Sequence, residues 1–160
     1  MHLLHSMFAP IIHNQPLTCK YSIYETVWAV RPFSRNPRRE IGKNYKVYFV
    51  DLGIRNALIG DFNPLSVRAD QGALWENFLL VERMKFFANK DEKVQALFWR
   101  SYSGAEVDYI EKAMDAPFRA YEFKFSSDTL NKGARSFREQ YQTPVHLINR
   151  DNYLQFIGVG

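Results

Sequence analysis

Two short stretches of the chain carry the residue types that phosphate chemistry needs. In GAEVDYIEK, Glu106 and Asp108 stand two apart, and in AYEFKF so do Glu122 and Lys124. Side chains alternate between the faces of a strand, so Glu106 and Asp108 share one face with Val107 and Tyr109 opposite. By the same rule Glu122 and Lys124 share a face, with Tyr121, Phe123 and Phe125 turned toward a core. Two adjacent strands would then present three carboxylates and one ammonium. Hard cations such as Mg2+ or Mn2+ take carboxylate, water and phosphate oxygens, the ligand set that Asp108 and Glu122 offer. Such an ion polarises a phosphodiester and acidifies water, while Lys124 orients that water or offsets charge in the transition state. The chemistry would be phosphodiester hydrolysis. A solvated face, or a plain Asp108–Lys124 ion pair, accounts for the same spacing without catalysis.

The elements that must position these residues are legible from patterning. ADQGALWENFLLVERMKFFAN has an N-cap candidate in Asp70, no proline, and apolar residues around nearly the whole circumference, as in a helix packed on more than one side. VQALFWRS, EVDYIEK and FRAYEFKFS follow as a three-strand meander with turns at Ser103-Gly104 and at 115–117. A second helix is expected over 129–142, where Leu130, Ala134, Phe137 and Tyr141 form an apolar face and Lys132, Arg135 and Arg138 another. PVHLINR and YLQFIG read as closing strands. Upstream, 20–28 has a short helical pattern, and VWAVRPF and YKVYFVD read as a hairpin. The linking stretch Arg31 to Lys46 holds six basic residues, Arg31, Arg35, Arg38, Arg39, Lys43 and Lys46, against Glu40, and reads as an exposed cationic tip. Residues 51–63 form a short helical or irregular connection, with a soft boundary near Asn63.

Composition narrows the partners. A chain of 160 residues with 46% apolar and 16% aromatic residues has material for one packed domain, which argues against disorder. The single Cys19 has no partner for a disulfide or a zinc site, which points to a reducing, cytoplasmic compartment. No run approaches the roughly 18 apolar residues of a membrane span, and the start lacks the layout of a signal peptide. A net charge of +4 suits an anionic partner. Contacts to phosphates would come from Arg35, Arg38, Arg39 and Lys43 on the hairpin tip and from Lys132, Arg135 and Arg138 on the second helix, each of which also reads as a solvated face. Trp28, Trp75 and Trp99 are expected as core anchors.

An acid on one strand and E-x-K on the next resembles the PD-(D/E)XK nuclease superfamily. More specifically, YKVYFVDLGIRNALIGDFNPLSVRADQGALWENFLL, FWRSYSGAEVDYIEK and AYEFKF, in that order, resemble the C-terminal region of a family of prokaryotic AAA-type ATPases, domain of unknown function 4143. The resemblance implies an α/β, restriction-endonuclease-like fold, a mixed sheet flanked by helices and preceded here by the basic β-hairpin. It assigns 63–160 to the nuclease-like domain and 1–62 to the remnant of a winged-helix segment. It also implies a site of Asp108, Glu122 and Lys124 completed by the helix-borne Glu76, with Asp108, Glu122 and Glu76 as ligands of Mg2+ or Mn2+ and Glu106 matching a further position. No G-x-x-x-x-G-K-[ST] loop occurs, so the ATPase region expected upstream is absent and the chain reads as a fragment. Two functions follow. One is metal-dependent hydrolysis of nucleic acid, DNA before RNA, originally coupled to an ATPase. The other is a catalytically silent module that binds nucleic acid or protein for that ATPase. Separately, loss of the upstream region would expose a face normally buried, and homo-oligomers of the fragment would then be a product of truncation.

Overall fold

The computed structural model describes residues 26–34, 45–114 and 116–159. Six strands form one mixed sheet in the order β2-β1-β3-β4-β5-β6. β1 (Val27–Pro32) and β2 (Lys46–Phe49) make the expected antiparallel hairpin, with Val27 opposite Phe49 and Val30 opposite Lys46. Val27 and Trp28 are therefore strand residues rather than the end of a helix, because their β-branched and aromatic side chains pair across the hairpin. The hairpin is continuous with the rest of the sheet, since Arg31 and Pro32 pair in parallel with Leu97 and Phe98. The residues expected at its cationic tip, Arg35, Arg38, Arg39 and Lys43, lie outside the described residues, as do the helical pattern over 20–25, Cys19, His2, His5 and His13.

β3 (Val94–Arg100), β4 (Glu106–Ala113) and β5 (Arg119–Phe123) are the expected antiparallel meander. α1 (Leu52–Ile59) starts at Asp51, which caps the Ile54 amide, and stops at the left-handed Gly60. α2 (Gln71–Asn89) follows, and α3 (Lys132–Tyr141) joins β5 to the parallel strand β6 (Val145–Ile148). Asp70 stands at the head of α2 without capping it, because Arg68 holds its carboxylate through two 2.8 Å hydrogen bonds. YLQFIG is not a strand. Tyr153–Phe156 form a short helix, α4, which sets Tyr153 against Trp75 and Phe156 against Tyr109, Tyr121 and Phe123. Residues three apart can reach the same core only on a helical turn.

The sheet is covered on both faces. On one side α2 and α4 pack Trp75, Leu79, Leu80, Val81 and Phe156 against Phe98, Tyr109, Tyr121 and Phe123. On the other, α3 packs Ala134, Phe137 and Tyr141 against Leu97, Trp99, Val107, Ile110 and Ala120. Fully burying side chains such as Leu79 or Phe137 contributes about 1.5–3 kcal/mol each. Strict alternation fails at one place. The register between β3 and β4 shifts between Leu97/Ile110 and Trp99/Val107, so a bulge sends Tyr109 to the α2 side while Val107 faces α3. Glu106 and Asp108 keep their common face, and the bulge lies beside them.

Candidate metal and phosphate site

α2 carries Trp75, Glu76 and Asn77 in succession, and each side chain does something different. Trp75 is buried in the core. Asn77 donates to the Phe49 carbonyl at 2.7 Å and accepts from the Phe49 amide at 2.9 Å, satisfying the outer edge of β2. That clamp brings Lys46 and Tyr48, which alternate onto one face of β2, up to Glu76. The Lys46 ammonium lies 2.7 Å from Glu76 Oε1, and the Tyr48 hydroxyl donates to the same oxygen at 2.6 Å. Lys46 also contacts Glu106 Oε1 and stands 4.0 Å from Asp108 Oδ1. Lys46 was expected on the exposed basic loop. The structure overturns that, because its place on β2 turns it inward beneath α2.

Glu76, Glu106 and Asp108 form the group of carboxylates able to share one ion, with an oxygen from each lying within 4.8 Å of the others. Asp108 occupies the point where β4 and β5 separate, beyond the Tyr109–Tyr121 pair, and its Oδ2 accepts from the Phe123 amide at 2.8 Å. Burial, then repulsion by Glu76 and Glu122, raises its pKa to about 7, against the opposing pull of the Phe123 amide and Lys46. Arg100 closes the outer rim through a 2.5 Å contact with Glu106 Oε2.

Glu122 and Lys124 share a face as expected, on the side of β5 away from Tyr121 and Phe123. Glu122 is fully buried there. Its Oε1 takes the Lys124 ammonium at 2.6 Å and the Asn131 amide at 2.5 Å, and Oε2 has no hydrogen-bond partner among the described residues. Burial raises the Glu122 pKa, with Lys124 opposing and Glu76 and Glu106 adding to it. Burial also pulls the Lys124 pKa down, but Glu122, Asp108 and Glu76 outweigh it and hold it above the ordinary value. The two carboxylate groups thus meet across the β4–β5 boundary: Glu76, Glu106 and Asp108 toward α2, and Glu122 with Lys124 toward α3.

A family model described as a domain of unknown function (DUF4143) matches residues 71–155, more than half of the chain. The chain belongs to that family. No curated protein and no solved structure matches it. The DUF4143 span contains Glu76, Glu106, Asp108, Glu122 and Lys124, whereas Lys46 and Tyr48 reach the site from outside it. Lys132, Arg135 and Arg138 are exposed on α3, and the latter two border an open groove with Gln142 and Pro144.

The site roles of Lys46, Tyr48 and Asn131 escaped the sequence reading. The alternation of KVYF puts Lys46 and Tyr48 on one face, which was a usable signal for the first two. Asn131 fell inside the helix expected over 129–142, whereas the helix begins at Lys132; Asn131 caps the Ala134 amide at 2.8 Å while donating to Glu122. No helix among the described residues is long and apolar enough to cross a membrane.

Proposed function

We propose that this DUF4143 chain is a divalent-cation-dependent phosphodiesterase domain acting on nucleic acid, DNA before RNA, with the restriction-endonuclease-like arrangement of acids. The convergence of Glu76, Glu106 and Asp108 within 4.8 Å carries the proposal. Oxygen donors at that spacing fit Mg2+ or Mn2+, and side-chain exposures of 14–22% leave the group open to solvent. A bound ion would supply Lewis-acid polarisation of a phosphodiester oxygen and would acidify water. Asp108 Oδ2 is fixed by the Phe123 amide at 2.8 Å, which leaves Oδ1 turned toward the Lys46 ammonium and placed to ligate the ion. Lys124, half-buried against Glu122, supplies a fixed ammonium for phosphate charge. Glu122 holds that ammonium in place, and Asn131 holds Glu122. Arg135 and Arg138, and Arg35, Arg38, Arg39 and Lys43 in the sequence between β1 and β2, are assigned to phosphate contacts along the substrate.

One observation favours a second reading. Each of the acids in the group already sits near a cation of the chain itself, Lys46 or Arg100, and Glu122 sits against Lys124. A catalytically silent module that binds nucleic acid or protein for an ATPase would have its acids neutralised in this way. Calorimetric titration of the chain with Mn2+, beside nicking of supercoiled DNA, separates the two. The nuclease reading expects binding and nicking in the native chain and the loss of both in Asp108→Ala and Glu76→Ala. A folded native chain that neither binds nor nicks would leave the silent module standing.

A further inference from the structure

The cation at the centre of the acidic group is a side chain. The Lys46 ammonium rests on Glu76 Oε1 at 2.7 Å, contacts Glu106 Oε1 and lies 4.0 Å from Asp108 Oδ1. The Phe98 ring beneath it has its centroid 5.4 Å from Nζ, which adds a π-face to the seat. Those three carboxylates belong to the family-matched span, while the ammonium arrives from the edge strand β2 of the hairpin. A divalent ion bound to the same oxygens would stand a few ångströms from Nζ, and two cations so close repel strongly in a partly buried site. Being tethered, the ammonium also competes at a high effective concentration that dilution does not lower.

We infer that Lys46 is a built-in counter-cation that occupies the ion's position, so a divalent cation enters only when the Lys46 side chain swings out. This inference rests on reading Glu76, Glu106 and Asp108 as a cation site. The hairpin need not unfold for the exchange. Asn77 fixes the β2 backbone at Phe49, while the four-carbon lysine stem is flexible and the site borders solvent. One ammonium offsets a single negative charge of the three acids and a divalent ion offsets two, so the exchange is electrostatically favoured once the ion is available. The device makes the site selective for doubly charged ions over monovalent ones, because a monovalent ion gains nothing over the ammonium already there.

Mn2+ titration calorimetry of the native chain, Lys46→Met and Lys46→Arg tests this. Lys46→Met is expected to bind at least tenfold more tightly than the native chain, and Lys46→Arg, which keeps a cation, no more tightly than native. If Lys46→Met folds only when Mn2+ is present, while the native chain folds without it, that dependence carries the same meaning. Amine labelling of the native chain, read residue by residue by mass spectrometry, supplies a measurement that needs no variant. Lys46 is expected to label several-fold faster with saturating Mn2+, with Lys112 on the exposed side of β4 unchanged as the control. Equal affinities in native and Lys46→Met chains, with Lys46 labelling unaffected by Mn2+, would overturn the counter-cation role and leave the cation site intact. Absence of Mn2+ binding in all three chains would overturn both.

Discussion

Asp108 is the residue at which charge, burial and backbone geometry meet. Its pKa rises from an ordinary 3.8 to about 7, first through burial and then through Glu76 and Glu122. A carboxyl raised in the folded state binds a proton that the unfolded chain has already lost, so stability falls as pH climbs from about 4 to about 7 and levels off above. Asp108→Asn keeps the shape and an acceptor for the Phe123 amide but cannot ionise. It is expected to flatten that pH dependence and, at pH 8, to stabilise the chain by on the order of 2 kcal/mol. Urea unfolding of both chains across pH 4–8 reads this directly; parallel curves would mean that Asp108 is ionised in the folded state throughout. The identity of Asp108 as a candidate was legible from the E-x-D spacing on a strand. Its raised pKa was not, because that depends first on burial by the packed elements and then on Glu76, which is thirty-two positions away in sequence and arrives on α2.

At the scale of elements, β2 is an edge strand of four residues, and Asn77 supplies the partner its outer edge lacks. Removing that side chain in Asn77→Ala leaves the Phe49 amide and carbonyl without their bonds, at a cost of about 1–3 kcal/mol. Hydrogen exchange is the measurement: the Phe49 amide is expected to exchange faster by an order of magnitude or more, while Ile110 in the centre of the sheet keeps its protection. Unchanged exchange at Phe49 would show that β1 alone holds the edge. The hairpin and the meander followed from β-rich runs and the turn residues between them, α3 from its periodic apolar face, and α2 from a proline-free apolar run, all of which are local signals. YLQFIG misled because an apolar run of that length fits a strand or a helical turn equally, and Trp75 and the aromatic cluster around Phe156 decide between them. The bulge in β4 was equally hidden, as period-two reading assumes an unbroken ladder.

At the scale of the whole molecule, the sheet is sandwiched between α2 and α3, and the site opens where both helices approach the β4–β5 boundary. This explains why sequence reasoning named all four acids but not their grouping: spacing along a strand fixes the face, and only packing decides which helix covers it. Glu76 with Glu106 and Asp108 went to the α2 side, and Glu122 with Lys124 to the α3 side, where Asn131 bridges Glu122 and the Glu106 carbonyl. The closeness of α3 to β4 rests on Gly133. A Cβ there would collide with the backbone of Glu106, which has no side-chain freedom with which to yield. Helix propensity alone predicts that Gly133→Ala stabilises the chain by up to about 1 kcal/mol. Close packing predicts the opposite sign, a loss of about 2–4 kcal/mol as α3 is pushed from the sheet. The same displacement would pull Asn131 from Glu122 and shift Glu106, so any Mn2+ binding by the chain should weaken along with the drop in thermal midpoint. Gly72, inside α2 with open space around its Cβ position, provides the matched control, since Gly72→Ala should stabilise slightly and leave Mn2+ binding alone. A stabilised Gly133→Ala chain would mean that α3 sits farther from β4 than this packing requires, and the link between α3 and the acids would fall with it.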